Sequence, residues 1–364
     1  MPRNSMKGSL ALAVIPLVLL VPSFSSSGLI PSPIIAPAAR RDPGGGTSIH
    51  SHRMVVEVFP ERHALKVSDT MDVRSQSPRA LFRLNTEFSI LGVSVNRHPV
   101  DFIWRKTSEP KDSGPSGELE VRLPGPGDHT VRVDYEGVLF DKPKASRFTR
   151  EYVASQSTGI ISAEGTFLSP ESWWYPRAEE HMSRFEVLTL TPEGYETVTQ
   201  GARIRHEILG AKLHIRWKNA HPSDVLYLQA GPYTVQEDTV DGIAVYTYFF
   251  PGDEGLSKMC LEKSQQYIAM YSRLLGRYPY DKFAVVENFF ETGYGMPSWT
   301  LLGRTVLRLP FIPDTSLPHE ICHNWWGNGV FVEESGGNWC EGLTVFCSDY
   351  LLKKASSPRG GMDY

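Results

Sequence analysis

His319-Glu320-Ile321-Cys322-His323 places two imidazoles four residues apart, and only a helix turns that spacing into one shared face. Seventeen residues on (324 to 340), Glu341 stands in Asn338-Trp339-Cys340-Glu341-Gly342. Two His and one carboxylate that converge on one point can hold a tetrahedral metal and leave its fourth position to water. That pattern marks a catalytic rather than a closed structural zinc centre. It commits the chain to two packed helices near its C-terminal end, with Glu320 beside the metal. Zinc lowers the pKa of its bound water, and a neighbouring Glu takes the proton as the water attacks a carbonyl. The expected cofactor is one Zn2+ per chain.

At 364 residues the chain is long enough for two ordinary domains. A net charge of -4 gives no support for nucleic acid or an anionic membrane as partner. A peptide or protein substrate is the natural expectation.

Arg3 and Lys7 precede the apolar run Leu10 to Leu20, followed by Val21-Pro22-Ser23-Phe24 and a serine cluster. This reads as a secretory signal peptide over residues 1–27, and Pro16 and the shortness of the run argue against a retained span. The expected location is periplasmic or extracellular, with no stable membrane span after cleavage. Residues 28–47, rich in Ser, Pro, Gly and Ala, read as a linker.

From Met54 short alternating runs follow one another, such as Ala64-Leu65-Lys66-Val67 and His129-Thr130-Val131-Arg132-Val133, with turn residues between them. They predict an antiparallel β domain over residues 48–230. Within it, Ser172-Trp173-Trp174-Tyr175-Pro176 and Gly159 to Leu168 either line a cleft or plug the sheet as a packed loop. Gly255 to Leu275 has helical spacing. A strand at Phe283 to Val286, a Gly-rich turn at Thr292 to Pro297 and a strand from Trp299 to Leu309 come next. Pro318 opens the ligand helix, Gly327 and Gly329 end it, and Asn338 caps the helix that carries Glu341. The fold class is α+β, with residues 231–364 forming part of a second domain.

Cys260, Cys322, Cys340 and Cys347 read as small buried side chains rather than a disulfide framework. Cys340 and Cys347 lie two turns apart on one helix, too far to bond, whereas a bridge from Cys322 to either is open.

HEICHNWWGN, NWCEGLT and the upstream Tyr278-Pro279-Tyr280 resemble the M1 family of zinc metallopeptidases, the gluzincins related to aminopeptidase N and leukotriene A4 hydrolase. The resemblance implies a saddle-shaped N-terminal β domain and the first part of a thermolysin-like catalytic domain. It assigns His319, His323 and Glu341 to zinc and Glu320 to general-base catalysis of peptide-bond hydrolysis. The family's usual interval to the third ligand is eighteen residues, one more than here, and a one-residue deletion within Glu333 to Gly337 keeps Glu341 in place. Its amine-reading GAMEN segment corresponds to Gly293-Tyr294-Gly295-Met296-Pro297-Ser298, with Pro297 where the family has Glu. Gly293, Tyr294, Gly295, Met296 and Pro297 are therefore the expected substrate-binding residues, through backbone pairing with an extended peptide. Glu287 or Glu291 is the available substitute for the amine-reading carboxylate. In the family, further helices and an oxyanion-stabilising Tyr follow the third ligand, whereas this chain ends at Tyr364. The expectation is a truncated or split frame whose missing C-terminal part is a partner. The alternative expectation is a non-catalytic zinc- or peptide-binding protein.

Overall fold

The computed structural model describes residues 46–106, 114–144, 157–178, 182–332 and 339–357. The signal peptide, nearly all of the linker, Glu333 to Asn338 and Tyr364 lie outside the described residues.

An eight-stranded sheet dominates the first half, in the order Ala202–Leu209, Lys212–Ser223, Ser183–Pro192, Thr47–Phe59, Ala64–Ser75, Gly127–Val138, Phe88–Val95, His98–Pro99. Its strands form because apolar side chains recur every second residue. Met54, Val56 and Val58 face the core from one strand, and Leu65, Val67, Met71 and Val73 from the next. The expected antiparallel pairing holds with one exception: Thr47–Phe59 and Ser183–Pro192 run parallel, His52 opposite Phe185. Smaller sheets of three and four strands pack against the large one.

Inside this core His52 and Asp69 form a buried pair, Nδ1 to Oδ2 at 2.7 Å, with His52 stacked on Phe185. The Ser172–Pro176 segment is a plug rather than a cleft wall. Trp174 and Tyr175 are buried, the indole N–H of Trp174 donates to the Leu226 carbonyl, and the Tyr175 hydroxyl accepts the Leu226 N–H.

A second, five-stranded sheet runs Thr234–Val240, Ile243–Phe249, Lys282–Asn288, Trp299–Gly303, Gly293–Met296. Helix α1 (Glu254–Leu275) covers it through a stripe of Cys260, Leu261, Ser264, Tyr267, Ile268 and Tyr271, spaced for one helical face. Helix α1 stops at Gly276, whose φ of +101° few other residues adopt.

Two expectations need correction here. The Gly-rich turn expected at Thr292 to Pro297 is narrower: Gly293–Met296 is an edge strand, closed onto Trp299–Gly303 by the two-residue turn Pro297-Ser298. Pro at the first turn position and Ser298 at φ +72° fit a type II turn. The strand after it ends at Gly303 instead of Leu309, because Arg304–Leu307 turns into the short helix α2.

Helix α3 (Ser316–Cys322) carries His319 and is capped by His323, and α4 (Trp339–Val345) carries Glu341. Helix α4 continues through a π turn at Phe346–Tyr350 into α5 (Leu351–Ser356). Helix α3 ends with His323 as its cap, four residues before Gly327. Gly327 and Gly329 instead shape the turns that follow, where Gly327 has φ +102°. No helix among the described residues is long and apolar enough to cross a membrane.

Candidate metal centre

His319, His323 and Glu341 converge. The two Nε2 atoms lie 3.1 Å apart, and the Glu341 carboxylate sits 3.4 Å from His319 Nε2 and 3.5 Å from His323 Nε2. Ligand atoms held at about 2.0–2.2 Å from one tetrahedral ion stand roughly 3.3–3.5 Å from each other. The three side chains already occupy three corners of such a tetrahedron. Among the described residues this is the one group of His, Cys, Asp or Glu drawn together in this way.

The far sides of the rings fix their tautomers. His323 Nδ1 is 3.1 Å from the Trp326 carbonyl oxygen, which only accepts, so Nδ1 carries the proton and Nε2 presents its lone pair. His319 Nδ1 is 3.4 Å from Ser348 Oγ, whose own hydroxyl donates to the Thr344 carbonyl at 2.8 Å. Thr344 Oγ1 and Cys340 Sγ also face His323 Nδ1, at 3.4 and 3.6 Å. Cys340, Thr344 and Ser348 thus form a ladder, four residues per rung, against the two imidazoles.

Electrostatics separate the two carboxylates. Burial works against ionised Glu341, but the hydrogen bond to His319 and the electrostatic pull of the two ring nitrogens facing it hold its pKa below the usual value. Burial pushes the Glu320 carboxyl up to about 7, with His323 pulling it down and Glu341 adding to the rise. Burial and then His319 lower the pKa of His323. One carboxylate is thereby kept as an anion facing two ring nitrogens, and the other is poised to gain or lose a proton near neutrality.

The edge strand reaches this centre. A Cβ on Gly295 would press against Glu320 Oε2, so the strand backbone lies directly on the carboxylate and a side chain there would displace it. Ser298, in the turn beyond, gives its N–H to Asn324 Oδ1 at 2.8 Å, and Asn324 Nδ2 donates back to the Ile321 carbonyl at 3.0 Å. Lys282 is fully buried beneath the turn and donates to Ser298 Oγ at 2.9 Å and to the Ser298 carbonyl at 3.2 Å. Burial drives its pKa well below the usual lysine value.

Tyr278-Pro279-Tyr280 braces the other end of α3. The Tyr280 hydroxyl donates to the Asn328 carbonyl at 2.6 Å, and Tyr278 packs edge-on against Trp325. Trp326 meets Trp339 edge-on, which links the end of the HEICHNWWGN run to the start of α4.

Of the expected site residues, His319, Glu320, His323, Glu341 and Gly295 are gathered here, and Gly293, Tyr294 and Met296 belong to the strand that reaches the site. Pro297 lies in the turn. Glu287 and Glu291 are engaged elsewhere. Glu287 is buried and accepts from the Phe250 N–H, Arg304 and Arg308, while Glu291 accepts the Thr305 N–H. Ser348, Thr344, Asn324, Ser298 and Lys282 escaped the sequence reading. The four-residue spacing of Cys340, Thr344 and Ser348 was a usable signal for two of them.

No family model matches the chain. Among solved structures it is similar to an M1 zinc metallopeptidase from Deinococcus radiodurans, at 16% identity and a TM-score of 0.63, covering 87% of this chain and 73% of that one. Native yeast LTA4 hydrolase matches at 15% identity and a TM-score of 0.61, covering 86% of this chain and 49% of that one. The chain therefore has the fold of the M1 zinc metallopeptidases, with a His–His–Glu metal centre placed in it. A curated relative, the alanine/arginine aminopeptidase of Saccharomyces cerevisiae, is 23% identical over 257 residues, which cover 66% of this chain. The chain spans 29% of that relative's length.

Proposed function

We propose that the chain is a zinc-dependent peptidase of aminopeptidase-related type, with zinc held by His319, His323 and Glu341. The observation that carries the reading is the mutual spacing of 3.1, 3.4 and 3.5 Å among two imidazole nitrogens and one carboxylate, whose mixed nitrogen and oxygen character suits zinc. Bound zinc supplies Lewis acidity and a water of lowered pKa.

The protein's own groups do the remainder. Glu320, with its carboxyl raised to about 7 by burial, takes a proton from the attacking water and returns it to the leaving amine. The outermost strand of this sheet, Gly293–Met296, binds an extended peptide through its backbone and sets the scissile bond over Glu320. Because Pro297 replaces a carboxylate and Glu287 and Glu291 are engaged elsewhere, the substrate amine is read weakly. Binding rests on the backbone instead.

The same reading divides the chain near residue 230, ahead of the Thr234–Val240 strand, and holds that it is exported by its first 27 residues. N-terminal sequencing of the mature protein after expression with its leader tests the export.

Metal content decides the central claim. Under metal-replete conditions the chain carries one zinc, Glu341→Ala loses it, and Glu320→Gln keeps it while hydrolysis of peptide substrates falls about 10²- to 10⁴-fold. A folded chain that binds no zinc refutes the site. Zinc bound without peptide turnover by the unaltered chain refutes the peptidase assignment.

A further inference from the structure

Ser298 is fully buried in the turn that ends the Gly293–Met296 strand, and three parts of the fold close on it. Asn324, next to His323, takes its N–H at 2.8 Å. Lys282, in the five-stranded sheet, donates to its carbonyl at 3.2 Å. Those two bonds use only the backbone, and any residue in this turn could make them. The hydroxyl is different. Ser298 Oγ accepts from Lys282 Nζ at 2.9 Å and from the N–H of Gly201 at 3.2 Å, and Gly201 directly precedes Ala202–Leu209, a strand of the eight-stranded sheet.

Both donors are held from the side of that large sheet. The ring of Trp217, in the Lys212–Ser223 strand, lies 5.4 Å from Lys282 Nζ. Gln200, beside Gly201, is buried, and its Nε2 donates to the Val225 carbonyl at 3.0 Å while its Oε1 accepts the Tyr227 N–H at 3.1 Å. The Gly201 N–H is therefore a fixed point. At φ +72° a type II turn favours Gly or Asn, so serine stands here against the backbone preference and the hydroxyl is what it adds.

We propose that Ser298 is a positioning residue for peptide binding. Its hydroxyl registers the Gly293–Met296 strand against the eight-stranded sheet, so the first half of the chain sets where an extended peptide lies over Glu320. The inference deepens the peptidase reading and rests on its claim that this strand binds peptide. Ser298 acts through the strand rather than on the reacting atoms. Without the hydroxyl the turn keeps its two backbone bonds but loses its tie to the large sheet, and a shift of about 1 Å is enough to spoil alignment.

The test is equilibrium binding of a fluorescein-labelled tetrapeptide, its scissile amide replaced by a methyleneamine, to the full chain, with zinc content measured on the same samples. Ser298→Gly suits the backbone and removes only the hydroxyl. It should weaken the peptide Kd about tenfold with zinc content unchanged. Gln200→Ala loosens the Gly201 N–H from the far side. It should weaken Kd severalfold in the unaltered chain but less than about twofold in the Ser298→Gly background, because both act through one bond. A Kd for Ser298→Gly within about twofold of the unaltered value overturns the proposal, as do additive losses in the double variant. Zinc lost together with peptide also overturns it, because Ser298 would then only hold the fold. If Ser298→Gly does not fold, Gln200→Ala decides alone, and an unchanged Kd overturns the proposal. An unaltered chain that binds no peptide removes the peptidase reading and this inference together, whereas peptide bound equally by the unaltered and Ser298→Gly chains removes this inference alone.

Discussion

Asn324 Oδ1 accepts the backbone N–H of Ser298 at 2.8 Å, so the residue after the second metal-ligand His holds the turn of the hairpin whose edge strand lies on Glu320. That side chain ties the helix to the hairpin. Asn324→Ala leaves the buried Ser298 N–H unpaired, at a cost of about 1–3 kcal/mol in urea denaturation. It also lets the strand shift on Glu320, and kcat/KM for peptide hydrolysis should fall more than tenfold with zinc content unchanged. Unaltered kinetics would show that the tie does not position the strand.

Gly295→Ala tests the contact from the other side. The new methyl group would press against Glu320 Oε2 and push the carboxylate away, since the backbone there belongs to a paired strand. Zinc binding should persist while turnover drops about 10²-fold. Full activity would mean that Glu320 works from another position.

Ser348→Ala removes the oxygen that faces His319 Nδ1 at 3.4 Å and leaves the three ligands untouched. Freed ring orientation should weaken zinc binding about 10- to 100-fold, read by competition with a chelating dye. An unchanged affinity would assign the orientation of His319 to packing alone.

Lys282 sets a pH dependence of stability. Its folded pKa is depressed, so between that folded value and the unfolded one the unfolded chain binds a proton that the native chain does not. Stability then rises with pH by up to about 1.4 kcal/mol per unit until the unfolded lysine itself deprotonates near ~10.4. Lys282→Met should flatten that slope on the alkaline side, as the pH climbs toward the unfolded lysine value, in urea titrations. Parallel slopes for the two proteins would show that Lys282 is charged in the fold.

Asp69→Ala strips His52 of its buried partner and should cost about 3 kcal/mol or more in denaturant, with Asp69→Asn milder because it keeps a hydrogen bond. A loss below 1 kcal/mol for the alanine variant would mean that the pair is not a stabilising contact.

The parts of this structure that were legible in the sequence are those written in local spacing. The four-residue interval of His319 and His323 and the apolar stripe of α1 follow from helical periodicity, and the alternating strands follow from a period of two. What escaped is non-local. Nothing near Ser298 announces that its turn rests on Lys282 and Asn324, and nothing in Thr47–Phe59 names Ser183–Pro192 as a parallel neighbour. Gly327 misled because glycine ends many helices, whereas the backbone here leaves the helix at His323 and uses the glycine in a later turn. Glu287 and Glu291 were chosen by residue type, and only their partners show them engaged.

The parallel pairing of Thr47–Phe59 with Ser183–Pro192 places the earliest described strand in the middle of the large sheet, between a hairpin partner next to it and a neighbour more than 120 residues later. During synthesis that strand closes quickly onto Ala64–Ser75, yet its other side stays unpaired until residues near 190 leave the ribosome. For that interval the nascent chain carries an open strand edge with Met54, Val56 and Val58 uncovered, the kind of surface that recruits holding chaperones or other copies of itself. A premature stop anywhere between residues 76 and 182 therefore yields a sticky fragment rather than a smaller folded unit.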